Sequence, residues 1–180
     1  MQEFERFEPP MRLGLVADTH RPNRRPVNLP AQMLRAFETC DLILHLGDFS
    51  ALPVLERLQE IGPVRGVHGN NDSAELVAML PRAHFFEIGR WRFGMLHGHD
   101  GGGRMTAKQL ALSEMKGKVD CVFYGHSHWP DNARREGLLM VNPGSATQKR
   151  WAPAHTYAMV VVDDEIEIEL IELTSLDSRS

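Results

Sequence analysis

Five apolar runs in this chain each stop at residues whose side chains bind cations. Arg12 to Ala17 ends in Asp18-Thr19-His20, Leu42 to Leu46 in Gly47-Asp48, and Val64 to His68 in Gly69-Asn70-Asn71-Asp72. Phe93 to Leu96 ends in His97-Gly98-His99, and Val119 to Tyr124 in Gly125-His126-Ser127-His128. Runs of four to six apolar residues bounded by glycine and polar residues read as strands buried on both faces. In an open α/β sheet the loops at the carboxyl ends of strands converge on one crevice, so the five segments can share one site. Asp, Asn and His ligands together imply divalent cations, two of them.

Helical patterns separate the first strands. A helix is expected from Leu29-Pro30 to about Thr39, and a second over Ala51 to Ile61, with Leu52, Leu55 and Leu58 at helical spacing. A short helix from Ser73 to Met79 has Asp72 or Ser73 available as its cap, and Met105, Leu110, Ala111 and Met115 mark another over Arg104 to Lys116. Beyond Tyr124 the pattern turns to strands at Leu138 to Val141, Tyr157 to Val162 and Glu165 to Leu170. In the last of these, Glu165, Glu167 and Glu169 alternate with Ile166, Ile168 and Leu170, which marks one wet face. A βαβ series followed by a strand-rich end points to two packed sheets with helices outside, in one domain over residues 12–180. Residues 1–11 are expected to be a flexible extension.

Composition narrows the function classes. A chain of 180 residues, 42% hydrophobic, can bury a full core. Its net charge of -4 supplies no basic surface for tracking a long nucleic acid. No apolar run reaches the length of a membrane span, and residues 1–10 lack the basic, apolar character of a secretory signal. Cys40 and Cys121 read as reduced, buried thiols, with a disulfide as the lesser alternative, and a cytoplasmic location follows.

The ordered motifs Asp-x-His, Gly-Asp, Gly-Asn-x-Asp, His-Gly and Gly-His-x-His resemble the calcineurin-like metallophosphoesterase superfamily. Asn142-Pro143-Gly144-Ser145 is similar to a motif of its small single-domain phosphodiesterase branch, and the likeness spans about Arg12 to Leu173. The resemblance implies an α/β fold, a four-layer αββα sandwich of two mixed sheets flanked by helices, with a dinuclear site at its top edge. It implies that Asp18, His20, Asp48 and His128 hold one metal, and that Asp48, Asn70, His97 and His126 hold the other, with Asp48 as the bridge. Carboxylate and imidazole ligands without cysteine suit manganese first, with nickel, iron, cobalt or zinc as alternatives. A bridging carboxylate keeps such ions roughly 3.5–4 Å apart, and the implied reaction is in-line attack of a metal-bridging hydroxide on a small phosphoester.

Asn71, Asp72 and His99 are the candidate catalytic residues. Many relatives carry histidine where this chain has Asn71, and an amide donates a hydrogen bond without transferring a proton. His68 and His99 flank ligands and suit phosphate contact or packing equally. His45 reads as a hydrogen-bonded core histidine, and His84 and His155 as structural or surface residues. Arg21, Arg24 and Arg25 read as a solvated loop, and Asn142 to Ser145 as a tight turn whose side chains satisfy local backbone groups. The expected function is hydrolysis of phosphodiesters; phosphomonoester or nucleotide hydrolysis is one alternative. Another is a catalytically silent scaffold, the role of a eukaryotic relative of similar size in a membrane-coat complex. A small phosphoester is the expected partner, with a homodimer as a further expectation.

Overall fold

The computed structural model describes residues 3–21 and 27–174. It has eleven strands and four helices among these residues: β1 (Glu5–Phe7), β2 (Met11–Val16), α1 (Ala31–Phe37), β3 (Leu42–His45), α2 (Leu52–Gln59), β4 (Val64–Gly66), α3 (Ala74–Met79), β5 (Ala83–Ile88), β6 (Trp91–Leu96), α4 (Ala107–Met115), β7 (Cys121–Tyr124), β8 (Asp131–Arg135), β9 (Leu138–Asn142), β10 (Thr156–Val162) and β11 (Ile166–Glu172). One mixed sheet runs β1-β5-β6-β7-β9-β8 and the other β11-β10-β2-β3-β4.

Side-chain alternation along the strands builds the layers. Leu13, Leu15, Leu42, Leu44, Ala158 and Val160 of one sheet meet Phe86, Phe93, Met95, Phe123 and Val141 of the other in a core between the sheets. The intervening residues Val16, Ile43, Tyr157 and Met159 face outward, against Met33 and Phe37 of α1, Val54, Leu55 and Leu58 of α2, and Leu76 of α3. On the opposite outer face Val122, Tyr124 and Met140 pack on Leu110, Ala111 and Met115 of α4. The molecule is therefore the four-layer αββα sandwich, with every expected helix present.

Caps fix the helix starts. The Ser73 hydroxyl accepts from the Leu76 N–H of α3, which settles the choice between Asp72 and Ser73. Thr106 and Gln109 form a reciprocal capping box on α4, so this helix begins two to three residues later than the sequence pattern suggests. Three strands lay outside the sequence reading. Within the expected extension 1–11, Glu5–Phe7 pairs parallel with β5, Glu5 opposite Phe86. β5 itself pairs antiparallel with β6, and the edge strand β8 with β9. The segment Asp131–Arg135 has no buried residue, so no alternation announces it.

β2, β3, β6 and β7 are adjacent or facing strands, and each delivers its ligand-type residues from its carboxyl end. Sequence thus places Asp18 and Asp48 on one sheet and His97, His126 and His128 on the other. Cys40 and Cys121 are both free thiols, and burial pushes the Cys40 thiol up to about 11. No helix among the described residues is long and apolar enough to cross a membrane.

Candidate metal centre

Five of the expected ligand residues adopt backbone conformations that side chains other than glycine rarely accept. Asp18, His20, Asp48, His126 and His128 all have positive φ, between 43° and 68°. Such residues amount to a few per cent of non-glycine positions, and each costs on the order of 1–3 kcal/mol. Hydrogen bonds across the loops hold them there. Asp18 N–H donates to Gly47 O at 3.0 Å, and His20 N–H to Asp48 O at 3.0 Å. The Asp18 Oδ2 accepts the His126 N–H at 2.9 Å, which ties the two sheets together at their top edge.

The ligand atoms face one another. Asp18, His20 and His128 form one group able to hold a cation, and Asp48, His97 and His126 form a second. Asp48 Oδ2 lies 3.4 Å from His20 Nε2 and 3.3 Å from His97 Nε2, so a single carboxylate oxygen adjoins both groups. Asp18 Oδ1 lies 3.5 Å from His128 Nε2 and 3.8 Å from His97 Nε2. His20 and His128 stack with ring centroids 4.9 Å apart and Nε2 atoms 3.1 Å apart.

A cation fits this donor set. Asp18 Oδ1 and His97 Nε2 are buried without a hydrogen-bond partner, an expensive state for polar atoms unless something else satisfies them. The Nδ1 of His97 donates to Leu46 O at 2.7 Å, and the Nδ1 of His128 donates to Gln148 O. Each bond leaves the lone pair on Nε2, pointing at the carboxylates. Burial works to raise the Asp48 carboxyl, yet the neighbouring His97 ring and the hydrogen bonds from Asn71 hold it well below the usual range, so it is anionic. Burial pushes His126 and His128 down, toward the neutral form that a metal requires. For His97 burial acts in the same direction, but the Asp48 and Asp18 carboxylates outweigh it and push the ring up.

Two glycines make the approach of the loops feasible. A Cβ at Gly69 would stand 2.1 Å from Asp48 Oδ1, and one at Gly47, where φ is 90°, would stand 2.7 Å from the His97 ring. The loop after β4 then wraps the bridging carboxylate. Asn71 N–H donates to Asp48 Oδ1 at 2.8 Å, and its amide Nδ2 donates to Asp48 Oδ2 at 2.7 Å. Asn70, its exposed neighbour in the same loop, has no hydrogen bond to either group.

Asp72 is bound to backbone groups on two loops. Its carboxylate accepts from the N–H groups of Asp48 at 3.1 Å, Ser50 at 2.7 Å and Gly69 at 2.7 Å, which clamps two ligand loops to each other. His99 is half-buried beside the second group, its ring centroid 5.4 Å from that of His97 and 6.5 Å from that of His126. Asp100 Oδ1 holds its Nε2 at 2.6 Å, and Asp100 Oδ2 in turn takes Arg82 Nε at 2.5 Å. His68 lies 6.0 Å from His99, ring to ring. His45 is fully buried, stacked on Phe49 and in contact with Thr19 Oγ1 at 3.1 Å, and burial keeps it neutral. His84 contacts Glu5 at 3.0 Å, away from the site. Arg24 and Arg25 lie outside the described residues.

Asn142 to Ser145 does more than close a turn. Asn142 Oδ1 accepts the Gly144 N–H at 2.9 Å, as a local turn requires, but its Nδ2 donates to Gly125 O at 3.0 Å. The buried Ser145 hydroxyl donates to Asp18 O at 2.8 Å and accepts the Gln148 N–H at 2.9 Å. One hydroxyl therefore couples the loop of Asp18 to the residue whose carbonyl orients His128. Sequence offered no signal for Gln148, because a backbone carbonyl is common to every residue type.

Known proteins resemble this chain in sequence and fold. The family profile of the calcineurin-like phosphoesterase superfamily domain matches residues 11–165. A probable metallophosphoesterase of Methanothermobacter thermautotrophicus is 31% identical over 170 residues, covering 94% of this chain and 97% of that protein. A phosphodiesterase of Methanocaldococcus jannaschii is 26% identical over 146 residues, covering 74% of this chain and 83% of that protein. Among solved structures, Vacuolar Protein Sorting 29 from Cryptosporidium parvum superposes with a TM-score of 0.72 at 20% identity, over 92% of this chain and 99% of that one, a likeness of fold alone.

Proposed function

Because the chain belongs to the calcineurin-like phosphoesterase superfamily, we propose that it is a metal-dependent phosphodiesterase of small phosphoesters with a dinuclear centre. Asp18, His20, Asp48 and His128 would hold one divalent ion, and Asp48, Asn70, His97 and His126 the other. The observation that carries this reading is the position of Asp48 Oδ2, within 3.4 Å of His20 Nε2 and 3.3 Å of His97 Nε2, as a shared ligand needs.

When bound, two such ions supply Lewis acidity toward phosphoryl oxygens and acidify water enough to make a nucleophile near neutral pH. The two carboxylates offset about half of their charge, which leaves the pocket attractive to a phosphate anion. His97 and His128 present fixed Nε2 lone pairs because Leu46 O and Gln148 O take their Nδ1 protons. Asn71 donates through its amide, orients Asp48 and gives up no proton. His99, steadied by Asp100, is the side chain best situated to contact the phosphoryl group beside the second ion. Asp72 is a positioning residue, since three backbone N–H groups occupy its carboxylate.

Without an imidazole at position 71 the leaving oxygen receives little help from a general acid. Nitrophenyl diesters, whose leaving group needs little protonation, should be turned over well, and alkyl esters poorly. The test measures both classes with manganese or nickel added to the metal-free protein, and repeats them with Asn71→His. A general acid contributes about 10²–10⁴-fold when well placed, so the variant should gain on the alkyl ester and little on the nitrophenyl ester. Equal changes on both esters would remove Asn71 from the leaving-group side, and a monoester preferred over both diesters would replace the diesterase assignment.

A further inference from the structure

Trp91 of the chain is docked, its Nε1 donating to Asp163 O at 3.1 Å under the Arg90 guanidinium. The other two tryptophans are not: Trp129 is 52% exposed and Trp151 is 93% exposed. A tryptophan left in water forgoes the burial of about 150–250 Å² of surface, so two of them together call for an occupant. Both sit on the rim of the metal centre. Trp129 follows the ligand His128 directly, and Trp151 is three residues beyond Gln148, whose carbonyl takes the His128 proton. That hydrogen bond pins the two loops side by side.

The same rim is cationic. Arg21 follows the ligand His20, and Thr147 Oγ1 donates to Thr19 O at 2.5 Å, which brings the loop of Lys149 and Arg150 against the loop of Arg21. Arg21 directly follows the proposed ligand His20, and Lys149 and Arg150 directly follow Gln148, whose carbonyl takes the His128 proton, so the three cationic residues adjoin the first ligand group along the chain. No carboxylate among the described residues pairs with any of them; Lys149 Nζ donates to Ala152 O at 3.0 Å, and Arg21 Nε is buried without a partner. In a protein of net charge -4, three cationic residues without a carboxylate partner thus follow the same loops as two exposed indoles.

We propose that Trp129, Trp151, Arg21, Lys149 and Arg150 form a substrate subsite for the base and further anionic groups of a nucleotide-sized phosphodiester. This rests on the diesterase reading above and specifies its substrate class. Indoles stack on the π face of any base, and arginine and lysine add charge attraction to phosphate and cation–π contact. The overall acidity of the chain limits the occupant to a nucleotide or dinucleotide, since a long strand needs an extended basic track.

The test compares two esters with one leaving group, the p-nitrophenyl ester of thymidine monophosphate and methyl p-nitrophenyl phosphate, on the manganese-loaded protein. The nucleoside ester should be preferred about tenfold or more in kcat/KM, through KM, because base–aromatic stacking is typically worth about 5–150-fold in affinity. Trp129→Ala and Trp151→Ala should each bring the ratio of the two esters toward one, and Trp151→Phe should keep it. A ratio near one in the native protein, or one indifferent to both alanines, overturns the subsite. Thymidine monophosphate should also quench tryptophan fluorescence saturably, and inorganic phosphate should not. If neither ester is hydrolysed yet the nucleotide quenches and Trp151→Ala abolishes the response, the diesterase reading fails and the subsite stands. A fluorescence response to anionic phosphatidylserine vesicles and none to the nucleotide would assign the rim to a lipid surface and overturn the proposal.

Discussion

Asp48 joins two tasks in one carboxylate, since it adjoins both histidine groups and accepts both donors of Asn71. Asp48→Ala should therefore cost the protein both ions, whereas His128→Ala should empty mainly the group of Asp18 and His20. Elemental analysis checks this, and two metals per chain retained by Asp48→Ala would contradict the bridge. Ser145 acts at one remove: it holds Asp18 O and the Gln148 N–H, and so couples the loops of Asp18 and His128, two proposed ligands of one ion. Loss of an outer partner of this kind typically costs about 10–100-fold in metal affinity. Ser145→Ala should show a loss of that size for one ion in a chelator competition, and unchanged affinity for both would reduce Ser145 to turn chemistry. At this scale the sequence made the ligand types legible, because aspartate and histidine at strand ends in a fixed order have few other uses. What it could not convey was conformation. Positive φ at Asp18, His20, Asp48, His126 and His128 follows from bonds between loops distant in sequence, as does the clamp that occupies Asp72.

Strands and helices with a strong pattern were readable, and those without one were not. β2, β3, β7 and β10 have continuous apolar runs because both of their faces are covered, whereas β8 lies at an edge with every residue at least partly exposed. β1 depends on tertiary contacts: Glu5 accepts from Arg65 of β4 at 2.5 Å and contacts His84 of β5 at 3.0 Å, joining the edges of the two sheets. The Arg65 guanidinium holds the Glu5 carboxyl below its ordinary value of 4.5. A carboxyl lowered in the folded state stabilises the protein above its unfolded value, and that contribution fades as pH falls below about 4.5 through the folded value. The ion pair is only partly buried, so screening by solvent limits it to about 0.2–1 kcal/mol. Glu5→Gln should lower the melting temperature slightly at neutral pH, and its difference from the native protein should vanish in acid. A difference that persists below the titration of Glu5 would mean that packing of β1, not its charge, is what the substitution disturbs.

The candidate metal centre is also the place where the two halves of the sandwich meet. Asp18 and Asp48 leave one sheet and His97, His126 and His128 leave the other, so an ion bound there crosslinks the layers. An ion present at about a hundredfold its Kd adds about 2.7 kcal/mol, and a domain of this size gains roughly 2–4 °C per kcal/mol. Removing metal should accordingly lower the melting temperature by about 5–11 °C for each such ion, and calorimetry with and without chelator checks this. An unchanged transition after verified metal removal would count against a centre built across the sheets. The layer order and the strand order β1-β5-β6-β7-β9-β8 belong to this scale as well. The two packed sheets with helices outside were legible in the order of the elements, but the strand order was not, because spacing along the chain does not say which strand lies beside which. The most direct measurement titrates manganese into metal-free protein, recording ions bound per chain together with hydrolysis of a nitrophenyl diester. The account predicts two ions per chain, with activity rising as the second is filled. Binding that saturates at one ion, or a protein filled with two ions that leaves the diester intact, would contradict it.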